Sequence, residues 1–463
     1  MNKIIIEHCI WEKMYQHVLS DNNEHFAFFL VNYYQNQNDI TFLVKDVICI
    51  DDSELEPDGF GLILKLDGLL KVINRAKKEN KGLIEIHSHP FSTTNVRFSR
   101  TDNDGFAEFV PYILDDLEGK PYAAMVLGQC SVDAICWQNK VGKTVDKIVI
   151  HGKNLRIIVP SSIKKTIQMD KKRYDRQILA FGVDAQKTLA GLDVGIIGLG
   201  GIGSEILQKL VYLGVRNLVL IDDDKISEDN LNRLIGAFAS DLGQTKVTIA
   251  TRHAKNICGE ENVRIVPKEK DVLNGDVIKE LAGIDFIFGC VDNDGARTLL
   301  NEIAKAFLIP YLDCAVGIIL EEEKIVQIGG RAILVLPKKP CLQCLYEIDV
   351  DEATHFLQTE REQQFNEKQG YVSGINVPSP SVIHLNGIVA NAGLMEFFSY
   401  VTGFRPANVY SIYDAQKQKL VVRDVHLDPK CFVCNWIEGN GDKADIINRF
   451  AKRTFDQKTG VGN

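Results

Sequence analysis

Gly198-Leu199-Gly200-Gly201-Ile202-Gly203 stands between an apolar run, Val194–Ile197, and a helix-period segment, Ser204–Leu213. A strand that turns through glycines straight into a helix commits the chain to a parallel α/β unit. The turn sets backbone amides and the positive end of the helix against an anion. Asp222 follows the next apolar run, Leu218–Ile221, where a carboxylate can hold a ribose. Lys246–Ile257, Phe286–Cys290 and Ala296–Phe307 continue the alternation as helix, strand and helix. Alone, the turn says only that a nucleotide or dinucleotide binds.

The surrounding charges narrow that reading. Arg173-Tyr174-Asp175-Arg176-Gln177 precedes the turn. Asp222-Asp223-Asp224, Asn230, Arg233 and Gly243-Gln244-Thr245-Lys246 follow it, then Asp292-Asn293 and Arg297. Hydride transfer requires no such collection. Attack of a carboxylate on the α-phosphate of ATP does, because two anions must be screened, Mg²⁺ held and pyrophosphate stabilised as it leaves. From Arg173 onward the chain resembles the E1/ThiF/MoeB family, which adenylates the C-terminus of ubiquitin-like proteins. The resemblance implies a Rossmann-like α/β fold with Gly198, Gly200, Gly201, Gly203, Asp222, Asp224 and Asn293 lining the nucleotide site. It further implies Asn230, Arg233 and Lys246 around the phosphates and Asp292 on Mg²⁺. Arg176 would be an arginine finger supplied by the other protomer of a homodimer.

The N-terminal part reads as α+β: strands Phe26–Tyr33, Phe42–Ile50 and Leu83–Ile86, with a helix Leu66–Lys78. The last strand runs into His87-Ser88-His89-Pro90. Histidines at i and i+2 of an extended chain point the same way and can share one cation. Ser99-Arg100-Thr101-Asp102 follows. This pattern resembles the JAMM motif of JAB/MPN metallopeptidases, which implies a cytidine-deaminase-like sheet. His87, His89 and Asp102 would be ligands of a catalytic zinc, with Ser99 donating to the oxyanion. The general base is Glu24 or its rival Glu85, which shares a strand face with His87; Glu24 is favoured. The spacer, residues 90–98, is longer than is common in that family, which keeps Asp104 open as a substitute ligand. It also keeps open a domain that only binds a ubiquitin-like fold.

Eleven cysteines need an account. The opening residues, MNKIIIEHCIWEK, hold no secretory apolar region, so the expected address is the cytoplasm, where disulfides are rare. Cys341-Leu-Gln-Cys344 and Cys431-Phe-Val-Cys434 then suit a closed, structural zinc. An E1 that forms a thioester needs a nucleophilic cysteine, and 345–380 contains none. Cys290 and Cys314 are expected in the core, as is His384 in its apolar helix.

The boundaries read as 1–152 for the first domain, 153–172 for a linker, 173–440 for the second domain, and 441–463 for a C-terminal helix and tail. Asp349–Pro380 reads as a polar loop. The net charge of −9 argues against a chain built to grip nucleic acid or anionic membrane. The expected function is bifunctional: zinc-dependent processing or deconjugation of a ubiquitin-like protein, and ATP/Mg²⁺-dependent adenylation of its C-terminal Gly-Gly. A partner would be an E2-like protein or a sulfur carrier. Alternatives are a short-peptide adenylase and a JAB scaffold.

Overall fold

A computed structural model describes residues 1–36, 39–58, 61–138, 140–163, 170–358 and 380–450. The chain divides into two compact units, Met1–Thr166 with Gly439–Lys443, and Ile167–Glu438 with Ala444–Asn463.

The first unit contains strands β1 (Lys3–Glu7), β2 (Phe26–Gln35), β3 (Ile40–Cys49), β4 (Leu55–Asp58), β5 (Gly61–Leu64), β6 (Gly82–Ser88), β7 (Tyr122–Leu127), β8 (Val132–Gln138), β9 (Val141–Thr144), β10 (Lys147–His151) and β11 (Leu155–Ile158). Its helices are α1 (His8–Val18), α2 (Leu66–Lys78) and α3 (Arg100–Asp116). Nine strands form one sheet, ordered β11-β10-β1-β3-β2-β6-β7-β8-β9, and β4 pairs with β5 alone. Alternation along β2 sends Ala27, Phe29 and Val31 to the face covered by Trp11, Met14 and Val18 of α1. Phe28 and Leu30 go to the other face, against Val72, Ile73 and Ala76 of α2 and Val110 and Leu114 of α3. On β6, Ile84 and Ile86 join the α1 face. Leu83 joins the opposite one, so Glu85 and His87 belong to the α2/α3 side.

The second unit contains β12 (Asp193–Ile197), β13 (Asn217–Ile221), β14 (Arg264–Lys268), β15 (Phe286–Gly289), β16 (Tyr311–Glu321), β17 (Lys324–Val335), β18 (Tyr410–Asp414) and β19 (Lys419–Val422). Helices are α4 (Asp175–Gly191), α5 (Gly201–Leu213), α6 (Lys246–Cys258), α7 (Gly275–Leu281), α8 (Asp294–Ala306), α9 (Val350–Leu357) and α10 (Ile383–Thr402). The sheet order is β14-β13-β12-β15-β16-β17-β18-β19. β14 through β16 are parallel. The remaining pairs are antiparallel. The strand order reverses between β12 and β15, the crevice where open α/β sheets bind ligands.

Several expectations change. The stretch expected as a linker from 153 still holds β11, paired antiparallel with β10; Leu155–Ile158 is apolar enough to extend the sheet before Pro160 stops it. Gly439–Lys443 packs with the first unit rather than the second. There Asn32 Nδ2 donates to Gly439 O at 2.9 Å, and the Gln35 amide donates to Asp442. Of the expected C-terminal helix, Gly441–Ala444 is a 3₁₀ turn and 446–450 is helical; the rest of the tail lies outside the described residues. The polar stretch after Asp349 begins as α9, capped by Asp349, whose Oδ1 accepts from the amides of Asp351 and Glu352; 359–379 lie outside the described residues. His384 is exposed, not in the core. It sits in the first turn of α10, whose buried side begins at Leu385 and Asn386.

Candidate active sites

At the end of β12, Gly198 adopts φ +83°, and a Cβ there would lie 2.5 Å from Cys290 O. A Cβ at Gly203 would lie 1.9 Å from Gly198 O, so only glycine lets α5 start this close to the turn. Gly200 has open space where a side chain would stand. Asp222 is buried and holds the turn directly: Oδ2 accepts from the Leu199 amide at 2.6 Å, and Oδ1 accepts from the Asp224 amide at 2.9 Å. Burial raises its carboxyl above the usual range, with Lys246 and the Leu199 amide pulling the other way.

Lys246, the first residue of α6, reaches back to this turn. Its Nζ is 2.6 Å from Asp224 Oδ2 and 3.9 Å from Asp222 Oδ1. Asn230 is buried and closes a 3₁₀ turn, its Oδ1 facing the Ser227 amide. Arg233 follows, and its Cδ lies 3.6 Å from where a Cβ of Gly201 would be. Its guanidinium folds back on Asp229 and Asn232. Thus Arg233, Asp222, Asp224 and Lys246 gather at the glycine turn, each cation held by a carboxylate. Asp292 is exposed two residues past Cys290, the residue that abuts Gly198. Asn293 commits its Oδ1 to capping α8 through the Ala296 amide. Arg176 is exposed at the start of α4.

Behind the Asp292 loop lies a buried charge network that sequence reasoning missed. Arg297 binds Asp294 at 2.5 Å and Val291 O at 2.9 Å, and its Nε is 3.4 Å from Asp313. Asp313 also faces Arg331, which pairs with Glu347 at 2.8 Å. The sequence singles out Arg297 among the charges after the turn but not its partner Asp313, a lone acid inside the apolar run Tyr311–Val316. Cys314 is buried beside Gly393, and Cys290 is half-buried rather than fully in the core. Burial raises both thiols.

Four sulfurs converge in the same unit. Cys341 Sγ is 3.9 Å from Cys344 and 3.6 Å from Cys431, and Cys344 is 3.5 Å from Cys434. Thiolates about 2.3 Å from a tetrahedral zinc stand about 3.8 Å apart, so the set fits that ion.

In the first unit, His87, His89 and Asp102 each offer an atom within 4.8 Å of the others. His87 Nε2 is 3.4 Å from Asp102 Oδ1, and His89 Nε2 is 3.6 Å from Asp102 Oδ2. Ligand atoms about 2.0–2.1 Å from zinc stand about 3.4 Å apart. Both ring nitrogens of His87 are buried without a hydrogen-bond partner; a cation would relieve one of them, Nε2, the nitrogen that faces Asp102. Burial alone would raise the Asp102 carboxyl, but His87 and the Ser99 amide outweigh it and hold it well below the usual range. Ser99 caps α3, its Oγ accepting from the Asp102 amide at 3.1 Å, which leaves the hydroxyl proton free to donate. Asp104 does not join this group: it is exposed and faces Arg100, because the capping box turns Asp102 inward. Glu24 Oε1 is 3.8 Å from His89 Nε2, and burial raises its carboxyl. Glu85 is half-buried on the His87 face of β6, where Tyr122 Oη donates to it at 2.6 Å.

A model of the ThiF family matches residues 174–434. The chain belongs to the ThiF family. Among curated ThiF-related proteins, the SAMP-activating enzyme E1 of Haloferax volcanii is 30% identical over 176 residues, 38% of this chain and 61% of that protein. The molybdopterin-synthase adenylyltransferase of Escherichia coli is 26% identical over 268 residues, 57% of this chain and 95% of that protein. The sulfur carrier protein ThiS adenylyltransferase of Escherichia coli is 30% identical over 183 residues, 38% and 68%. The chain thus spans about three fifths of the haloarchaeal relative. Residues before 174 lie outside the ThiF family match. No helix among the described residues is long and apolar enough to cross a membrane.

Proposed function

We propose that the second unit adenylates the C-terminal carboxylate of a ubiquitin-like protein or sulfur carrier ending in Gly-Gly, using ATP and Mg²⁺. The observation that carries this reading is Lys246 beside Asp222 at the Gly198–Gly203 turn, within a chain of the ThiF family. Asp222 would hold the ribose. Lys246, Asn230 and Arg233 would exchange their present partners for phosphate oxygens. Asp292, exposed at the sheet's C-terminal edge, is free to take Mg²⁺, and Arg176 is free to act on a neighbouring protomer. The four cysteines would hold a structural zinc.

The first unit we assign as a JAMM-type metallopeptidase. A zinc held by His87, His89 and Asp102 would supply a water of lowered pKa. Glu24, whose carboxyl is raised by burial, would take the nucleophile's proton and return it to the leaving amine. Ser99 donates to the oxyanion. Cleavage that exposes a Gly-Gly carboxylate makes the group which the second unit activates. Pairing these activities on one chain therefore has a chemical logic, in the cytoplasm and with an E2-like or sulfur-carrying acceptor.

ATP–pyrophosphate exchange with a Gly-Gly-ended protein tests the assignment. Exchange with short peptides alone would favour a peptide adenylase. Metal analysis finding no zinc that depends on His87 would leave the first unit a scaffold.

A further inference from the structure

His25 directly follows Glu24, and its buried imidazole lies between two carboxylates. Nδ1 is 3.0 Å from Asp52 Oδ1, and Nε2 is 3.0 Å from Asp21 Oδ1. A neutral imidazole has one N–H and one bare lone pair, and an ionised carboxylate only accepts. One of the two contacts would then oppose lone pair to lone pair. Both are satisfied when both nitrogens carry hydrogen.

The backbone of the same residue is fixed from the other side. The His25 amide donates to Ser88 Oγ at 3.1 Å, and the Ser88 amide donates to His25 O at 3.2 Å. Ser88 stands between His87 and His89. The approach to Glu24 is otherwise loose: residues 20–23 are exposed, and the Glu24 carboxylate comes no nearer to His89 than 3.8 Å. The other charged groups nearby are accounted for. The His17 ring, on α1, is 5.8 Å from that of His25, with its Nε2 engaged by Phe26 O. Asp51 turns to the Ser53 amide.

We propose that His25 is a positioning residue whose ring, with an N–H directed at each of Asp21 and Asp52, ties the loop between α1 and β2 to the 52–54 turn and so fixes Glu24 beside His87, His89 and Asp102. The proposal rests on the metallopeptidase reading. Partners that orient a metal site from behind typically change affinity or activity by about 10- to 100-fold when removed.

The test uses the full chain with ¹⁵N-labelled histidine. The His25 ring signals are assigned by their loss in His25→Asn. Both nitrogens should resonate as N–H; a bare nitrogen overturns the proposal. A second readout is cobalt(II) added to the His87 site with zinc left on the cysteines. Its visible absorption follows the ionisation of its water, which a nearby carboxylate biases. Asp52→Asn, at an exposed position, should move that transition by about one pH unit, a tenfold change in the equilibrium, with cobalt still bound. An unmoved transition overturns the positioning role. Absence of any cobalt binding that His87→Ala abolishes would remove the metallopeptidase reading, and the positioning role with it. The nitrogen spectrum separates that failure from one of His25 itself.

Discussion

Lys246→Met removes the cation at the glycine turn while keeping its stem. Two losses are expected. A charge-assisted bond to a phosphate is worth about 1.5–3 kcal/mol. In addition, Asp222, now 3.9 Å from Nζ, and Asp224 at 2.6 Å lose their counter-charge and face the triphosphate uncompensated. Two unit charges about 4 Å apart interact by about 4 kcal/mol at an effective dielectric of 20. Asp224 is mostly exposed, so solvent reduces the added repulsion to about 1 kcal/mol. Together this is about 2.5–4 kcal/mol, or about 70- to 900-fold in ATP–pyrophosphate exchange. The repulsive part has its own signature: Asp224→Asn on the Lys246→Met background should recover about fivefold. Both variants should remain folded, with Lys246→Met unfolding more easily than the parent, because Lys246 Nζ also faces the buried Asp222 carboxylate. Exchange within threefold of wild type in Lys246→Met would refute the placement of triphosphate at this turn, and no recovery in the double variant would refute the electrostatic share.

Three further outcomes follow from the geometry. His87→Ala should lower zinc by one equivalent with the melting temperature little changed, whereas Cys431→Ser should lose the other equivalent and melt earlier; metal content and calorimetry read both. Glu24→Gln should reduce cleavage of a Gly-Gly-extended protein by about 10²- to 10⁴-fold. Glu85→Gln keeps most activity, because its carboxyl is tied to Tyr122; equal losses would return the base to Glu85. Asp241 is held by Arg252 through bonds of 2.7 Å, which lower its carboxyl to about 2 from its ordinary 3.8. With the folded value depressed, the stabilisation is complete above about pH 4 and disappears as the pH falls through about 2. Asp241→Asn should flatten the stability curve across that window in thermal unfolding.

Much of this molecule could be read from local order in the chain. The glycine turn, the His-Ser-His-Pro run, the Ser99–Asp102 capping box and the two CxxC pairs each act over a few residues, so backbone geometry at that range decides what they can do. The helix Leu66–Lys78 was legible for the same reason: its apolar positions repeat with the helical period, with Asp67 in its first turn and Arg75, Lys77 and Lys78 in its last. Other assignments needed the third dimension. In sequence Glu24 is favoured by its place before β2, and Glu85 stays its rival on the strand face of His87. What separates them is the β2–β6 register, which sets Phe26 opposite His87, and the Tyr122 hydroxyl arriving from β7. Asp102 was told from Asp104 by which side of α3 faces the histidines. The Arg297–Asp313–Arg331 network, the Asp52 carboxylate beside His25, and the capture of Gly439–Lys443 by the first unit join residues far apart in the chain. No local pattern encodes such contacts, because burial in the folded core, and not spacing along the backbone, determines which distant polar groups must satisfy one another.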